Sequence, residues 1–182
     1  MNETVSPVSF PVNVARLPKK GMPVTIDADE QQRAALAAAH GLVAVERFVA
    51  ELDVTTWKKG GVRVTGTVKA AIVQECIVTL EPVREEVDEE VAALFLPENS
   101  KLNVPRRSAE GEILLDAEGD DAPEPFSGDT VDVGQLAEEF FALGINPYPR
   151  KAGVAVPGEG GSSAEEKRGP LFEKLQALKN RN

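Results

Sequence analysis

Val62, Val64, Gly66, Val68, Ala70 and Ile72 stand at every second position, with Arg63, Thr65, Thr67 and Lys69 between them. A period of two marks a strand with one buried face. Upstream, Leu42 to Val54 is rich in valine and carries Phe48 and Leu52, the composition of a second strand. Lys58-Lys59-Gly60-Gly61 between the two runs is a turn signal, so the pattern predicts a hairpin across residues 42–73. A glycine inside the alternation, Gly66, points to a bulge or to close approach by a neighbouring backbone.

Other stretches follow weaker versions of the same rules. Phe10-Pro-Val-Asn-Val-Ala-Arg-Leu-Pro18 and Pro23–Asp27 read as short extended pieces, the first an edge strand because prolines flank it. Asp27, with Glu30 three residues on, reads as the cap of a helix that runs from Gln31 to Ala39. Gly41 supplies its left-handed end, and His40 sits in the last turn, where a cation suits the helix dipole. Residues 74–83 are expected to continue extended. Val83, Val87, Val91 and Leu94 fit a helical period, whereas Glu85, Val87, Glu89, Val91 and Ala93 equally line one face of a strand. Pro82 and Pro97 bracket about one strand length, which favours the strand. A second helix is expected over Gln135–Leu143, with Leu136, Phe140 and Leu143 as its inward stripe and Gly144 at its end.

The fold class predicted is α+β: a mainly antiparallel, twisted or barrel-like sheet with two packed helices and a flexible C-terminal tail ending in a short helix. Residues 1–150 form one domain, with a mobile acidic loop at about 98–129. Residues 151–169 read as a linker. Residues 170–182 place Leu171, Phe172, Leu175 and Leu178 on one face of an amphipathic helix, which either docks on its own sheet or enters a partner's groove. Strand order is not legible.

Composition narrows the chemistry. Among 182 residues, 30 acids against 20 bases give a formal net charge of -10. Such a chain repels phosphate backbones and anionic membrane faces over any wide contact, so neither DNA nor a membrane is an expected partner. One cysteine and one histidine exclude a disulfide framework and a Cys-based zinc site within the chain, and leave a Ser-His-Asp triad hard to build. No metal, cofactor or catalytic residue is assigned. Met1-Asn-Glu-Thr-Val-Ser-Pro7 lacks the basic and apolar regions of a secretory leader, and no apolar run is long enough to span a bilayer. A cytoplasmic protein is expected.

Local charge is less uniform. Glu85, Glu86, Asp88, Glu89 and Glu90, with Asp116, Asp120 and Asp121 in the acidic loop, form the surface expected to attract a basic partner. They lack the spacing of a calcium loop, and the plain alternative is a solvated face that prevents edge pairing. Basic residues gather at the hairpin tip as Lys58, Lys59 and Arg63 beside Trp57, and again as Arg150 and Lys151 after Tyr148. Any RNA contact belongs at these spots. Cys76 has no cation near it in sequence and reads as a small buried residue.

The segment Val73-Gln-Glu-Cys-Ile-Val-Thr-Leu-Glu-Pro-Val83 followed by Phe95-Leu-Pro97 resembles the signature of the YceD-like proteins, also called large ribosomal RNA subunit accumulation proteins and long catalogued as a domain of unknown function. Cys76, Leu80 and Pro82 carry that signature. Asp132-Val-Gly-Gln-Leu-Ala-Glu-Glu-Phe-Phe-Ala-Leu143 and Asn146-Pro-Tyr-Pro-Arg-Lys151 are similar to the later half of the alphaproteobacterial form, as are the Phe10-Pro-Val12 opening and the Pro170–Lys179 ending. Many members carry a second cysteine near the first and a later cluster suited to zinc. Here those positions read Thr79 and Pro-Tyr-Pro-Arg-Lys. The resemblance implies a non-enzymatic role in 23S ribosomal RNA accumulation and large-subunit assembly. Combined with the charge, it implies a basic ribosomal protein or assembly factor as partner. Two alternatives remain: a scaffold unrelated to ribosomes that docks through its C-terminal helix, and an enzyme built on a carboxylate such as Glu75 or Glu81.

Overall fold

The computed structural model describes residues 5–100 and 123–154. Its centre is the hairpin of β3 (Ala44–Trp57) and β4 (Gly61–Glu75), closed by a tight turn at Lys58–Gly60. Lys59 and Gly60 both take left-handed backbone there, with φ of 55° and 78°. Trp57 pairs with Gly61 and Ala44 with Val73, with a bulge between Val45 and Arg47. Strand β2 (Met22–Asp27) adds antiparallel to β3, and β5 (Pro82–Pro97) adds antiparallel to β4. A short β6 (Glu124–Phe126) runs parallel to the last residues of β5, completing an open sheet of order β2-β3-β4-β5-β6. Of the twisted and barrel-like forms, only the open one is present. A separate two-stranded sheet joins β1 (Pro11–Asn13) to β7 (Thr130–Asp132).

One face of the large sheet holds the core. Phe48, Leu52 and Val54 on β3, Val64, Val68 and Ile72 on β4, and Val87, Val91 and Phe95 on β5 are buried in one cluster. Two helices close it. Helix α1 (Glu30–His40) contributes Leu36 and Ala37; helix α2 (Val133–Gly144) contributes Val133, Leu136, Ala137 and Phe141. Phe141 meets Phe48 edge-on, ring centres 5.5 Å apart, and His40 meets Phe141 the same way at 5.4 Å. His40 Nε2 also lies 2.9 Å from a Glu138 carboxylate oxygen, so this histidine ties the end of one helix to the flank of the other.

Several local expectations are corrected. Asp27 is not the helix cap, because it is the last residue of β2, paired with Val49. Asp29 caps α1 instead: its carboxylate accepts from the Gln32 amide at 2.8 Å, and the Gln32 side chain accepts from the Asp29 amide at 3.0 Å. The extended reading of 74–83 fails after Glu75. Residues 76–81 fold into a turn in which the Leu80 amide donates to the Cys76 carbonyl and the Cys76 amide to the Glu81 carbonyl, both 2.9 Å. Leu80 adopts left-handed backbone to make this turn, φ 59°. Within the stretch expected to be a mobile loop, Glu124–Phe126 is a strand, anchored by Phe126 packed against the core.

Helix α2 is rotated from its expected stripe, in an orientation that a glycine permits. A Cβ on Gly134 would lie 1.9 Å from the Val8 carbonyl oxygen, so the side of the helix that lies on the Val8–Phe10 backbone has no room for a side chain there. Two turns on, Phe141 falls on that same side. Leu143 is half a turn away from it and is 76% exposed. The inward set is therefore Val133, Leu136, Ala137 and Phe141, with Phe140 only partly buried.

The chain divides into two compact units, Met1–Arg150 and Lys151–Asn182. The described part of the second is a turn in which the Val154 amide donates to the Lys151 carbonyl at 3.2 Å.

Candidate functional site

Strand β5 carries the acidic run, and its pleat divides the acids between two faces. Glu85 and Glu89 share the face of Val87 and Val91 and are half-buried; Glu86, Asp88 and Glu90 stand exposed on the opposite face. The two sets have different surroundings. Glu85 accepts a hydrogen bond from the Asn146 side-chain amide at 3.0 Å, beyond the end of α2. Glu89 lies against Gly144, close enough that a Cβ there would meet its side chain at 2.8 Å. On the outer face, Glu86, Asp88 and Glu90 pair in register with Ala71, Lys69 and Thr67. Lys69 Nζ approaches Asp88 at 3.5 Å, with both side chains more than half exposed; such a pair contributes about 0–1 kcal/mol. Arg84 is drawn away toward Glu46 at 2.9 Å. Negative charge is thus in surplus along the strand.

The strand is also a sheet edge. Only Phe95, Leu96 and Pro97 of β5 are paired with β6, and among the described residues no strand pairs with that side of Pro82–Leu94. At about 3.3 Å per residue this is a run of roughly 40 Å. The acids Asp116, Asp120 and Asp121 lie outside the described residues.

The hairpin tip and Arg150 sit at opposite ends of the sheet. Lys58, Lys59 and Arg63 are exposed at the β3–β4 tip, with Lys58 Nζ 5.6 Å from the centre of the Trp57 ring. Arg150 follows Pro149, whose carbonyl accepts from the Ile77 amide at 3.0 Å beyond the far end of β4. A strand of 15 residues separates these ends, roughly 45–50 Å, so the tip and Arg150 do not form one patch. Lys151 opens the second unit. Leu171, Phe172, Leu175 and Leu178 lie outside the described residues.

At the signature end, Cys76 is fully buried while Leu80 is 70% exposed and Pro82 begins β5. Val43, Ile77 and Tyr148 are exposed at the same end, and Val43 and Ile77 line a shallow hollow with Gln74 and Pro149. Sequence reasoning missed this apolar surface. Its members come from three distant segments, each apolar residue unremarkable in its own run.

A second hollow, also missed, lies between β6 and α2, with Phe95, Phe126 and Leu136 in its lining and Glu124 and Glu139 together at its rim. Burial, and then the neighbouring Glu139 charge, hold the Glu124 carboxyl above its ordinary pKa. A carboxyl with a raised folded-state pKa opposes folding at neutral pH, where it must ionise. Replacing Glu124 with glutamine is therefore expected to raise the thermal midpoint slightly at pH 7, an advantage that fades as the pH falls through the raised folded value and is gone below the unfolded glutamate pKa of about 4.3. Melting curves at pH 7 and pH 3.5 check this. Among the described residues, no group of three or more His, Cys, Asp and Glu is placed to hold a metal ion. No helix among them is long and apolar enough to cross a membrane.

Compared with known protein families, residues 64–179 match the model described as large ribosomal RNA subunit accumulation protein YceD. That span takes in most of β4, the signature turn, β5, β6, β7 and α2. No curated protein and no solved structure matches the chain.

Proposed function

The chain belongs to the family of the large ribosomal RNA subunit accumulation protein YceD, and from that premise we propose that it is a non-enzymatic cytoplasmic factor in large-subunit assembly that holds a basic ribosomal protein or assembly factor on the acidic strand β5. The observation that carries this reading is the surplus of carboxylates on β5, where Glu86, Asp88 and Glu90 stand in one exposed row and Lys69 answers only Asp88. Ribosomal RNA is itself a polyanion, and a row of carboxylates repels it; a partner rich in lysine and arginine is attracted and shielded from unspecific RNA contact. Accumulation of the RNA then follows indirectly, through delivery or protection of a protein that the RNA needs.

Direct RNA contact, on this reading, is confined to the hairpin tip. Lys58, Lys59 and Arg63 supply phosphate contacts there, and Trp57 offers a ring to a base once Lys58 moves off it, a displacement that costs about 0.5–1 kcal/mol.

The test is a titration of the full-length protein against basic large-subunit ribosomal proteins and ribosomal RNA fragments at several salt concentrations. Reversing Glu86, Asp88 and Glu90 to lysine is expected to weaken protein binding by roughly tenfold or more, since each reversal turns an attraction of up to about 1 kcal/mol into a repulsion. Reversing Lys58 and Lys59 to glutamate is expected to leave protein binding intact and to abolish any RNA binding. Salt-sensitive RNA binding that survives loss of the tip lysines, or protein binding indifferent to the three reversals, overturns the assignment.

A further inference from the structure

The acidic row explains attraction but not how a partner would be held in one geometry. The backbone beside it supplies that. Strand β5 is 16 residues long, yet among the described residues only its last three, Phe95–Pro97, have a strand on their outer side. Along Pro82–Leu94, every second residue of an antiparallel ladder turns its N–H and C=O away from β4. Those groups form a ready template for one more strand.

We infer that β5 binds its basic partner by strand addition: an extended lysine- and arginine-rich segment pairs with the outer edge of Pro82–Leu94 as an additional strand. The inference rests on the reading that the acidic strand receives a basic protein, and adds the form the partner takes. Charge favours a strongly cationic strand over the other occupants. A second copy pairing edge to edge would set its own β5 acids against these, and like charges facing each other across a ladder are destabilising. In this chain's own residues 101–122 six acids, Glu110, Glu112, Asp116, Glu118, Asp120 and Asp121, outnumber three bases, a poorer match to the carboxylates of β5 than a lysine- and arginine-rich strand. A basic strand meets carboxylates on both sides of the pleat, because β5 carries Glu86, Asp88 and Glu90 on one face and Glu85 and Glu89 on the other. Acids on an exposed edge that block self-association are the same acids that select a cationic strand.

The test uses full-length protein and synthetic peptides about as long as the open run, in which lysine and arginine alternate with threonine and valine. Binding is measured by fluorescence anisotropy. Two N-methylated versions remove backbone donors from alternate residues, odd positions in one and even positions in the other, without altering charge. Strand addition makes one version bind roughly tenfold or more weakly, as expected when several backbone hydrogen bonds of about 1 kcal/mol are lost, while the other binds like the parent. Equal binding by all three overturns strand addition and leaves the acidic-surface reading intact. Failure of every basic peptide to bind overturns the acidic-surface reading too. Hydrogen exchange completes the test, with outward amides of Pro82–Leu94 expected to exchange freely in the protein alone and to be protected by the peptide. Protection without peptide at every concentration means that the chain's own residues occupy the edge, and protection that fades on dilution means that a second copy does. Either result refutes the inference.

Discussion

Replacing Gly66 with alanine is expected to destabilise the protein by roughly 3 kcal/mol or more, the upper part of the range for forcing atoms into a packed site. Gly66 lies opposite Leu52 in the central hairpin and opposite Val91 on β5. A Cβ there would come within 2.0 Å of the Glu51 carbonyl oxygen and 2.8 Å of the Leu52 Cα. Both are backbone atoms of the neighbouring strand, so no rotamer change relieves the clash. β3 and β4 would have to separate at the middle of the sheet, opening the layer of Leu52, Val64 and Val91 beneath. Gly41→Ala is the proper comparison. Gly41 has φ 65° but open space around it, with nothing within 4 Å of the point a Cβ would occupy, so its cost is the left-handed strain of about 1–2 kcal/mol and no more. Urea denaturation of the two variants should therefore give clearly different midpoints; similar ones would refute the close approach. Because β5 is held in place through β4, the Gly66 variant should also lose basic-peptide binding well below its unfolding midpoint.

Asp132→Ala is expected to cost roughly 2–4 kcal/mol, the sum of a lost helix cap and of hydrogen bonds to a charged acceptor. This one carboxylate caps α2 through the Gly134 and Gln135 amides, both 3.0 Å, and also accepts from the Phe10 amide at 2.8 Å and from the Ser9 hydroxyl. It thereby holds the segment before β1 against the start of α2, where Gly134 touches the Val8 carbonyl. Burial alone would raise its pKa, but the hydrogen bonds from Ser9, Gln135, Phe10 and Gly134 outweigh burial and hold it below the ordinary aspartate value. A group with a depressed folded-state pKa stabilises the fold above its unfolded pKa of about 3.9, and that contribution is lost as the pH falls through the lower folded value. The native protein should thus lose stability on acidification below about pH 4, and Asp132→Ala should show a shallower loss over that interval. Asp132→Asn separates the two roles: asparagine caps a helix well, so it should retain part of the stability but show the same flattened acid profile as alanine. An unchanged acid limb in both variants would remove Asp132 from this role.

These two residues also show how the sequence divides into readable and unreadable parts. Gly66 is legible as a bulge or a site of close approach, because a glycine interrupting a run of valines has few other reasons to be there, and the unbroken register with Leu52 decides for close approach. Asp132 is not. Its partners Ser9 and Phe10 lie more than 120 positions away, and no local pattern announces a contact of that span. The acids of β5 are legible as charge from composition alone. That they sit on a sheet edge depends on strand order, which alternation does not encode.

The signature turn is a similar case. A run such as Cys-Ile-Val-Thr-Leu satisfies strand propensity residue by residue, but propensity yields to tertiary context. Here the Cys76 amide is taken by Glu81 and the Ile77 amide by Pro149, so the backbone leaves the ladder after Glu75. The cap of α1 lies two residues beyond its expected place for the same reason, since pairing with Val49 keeps Asp27 in its strand.

From the sequence alone came the features that repeat at short range or add up over the whole chain: the period-two hairpin, the helix that stops at Gly41, the acidic surplus and the basic tip. Burial of alternate side chains and the sum of charges act on a residue whatever its distant neighbours are, so they are written locally. The tertiary structure alone decided the rotation of α2, the reach of Asp132 to Ser9, the apolar surface of Val43, Ile77 and Tyr148, and the open edge of β5. Each of these is set by which backbone comes to lie beside which, and that follows from the packing of the whole core.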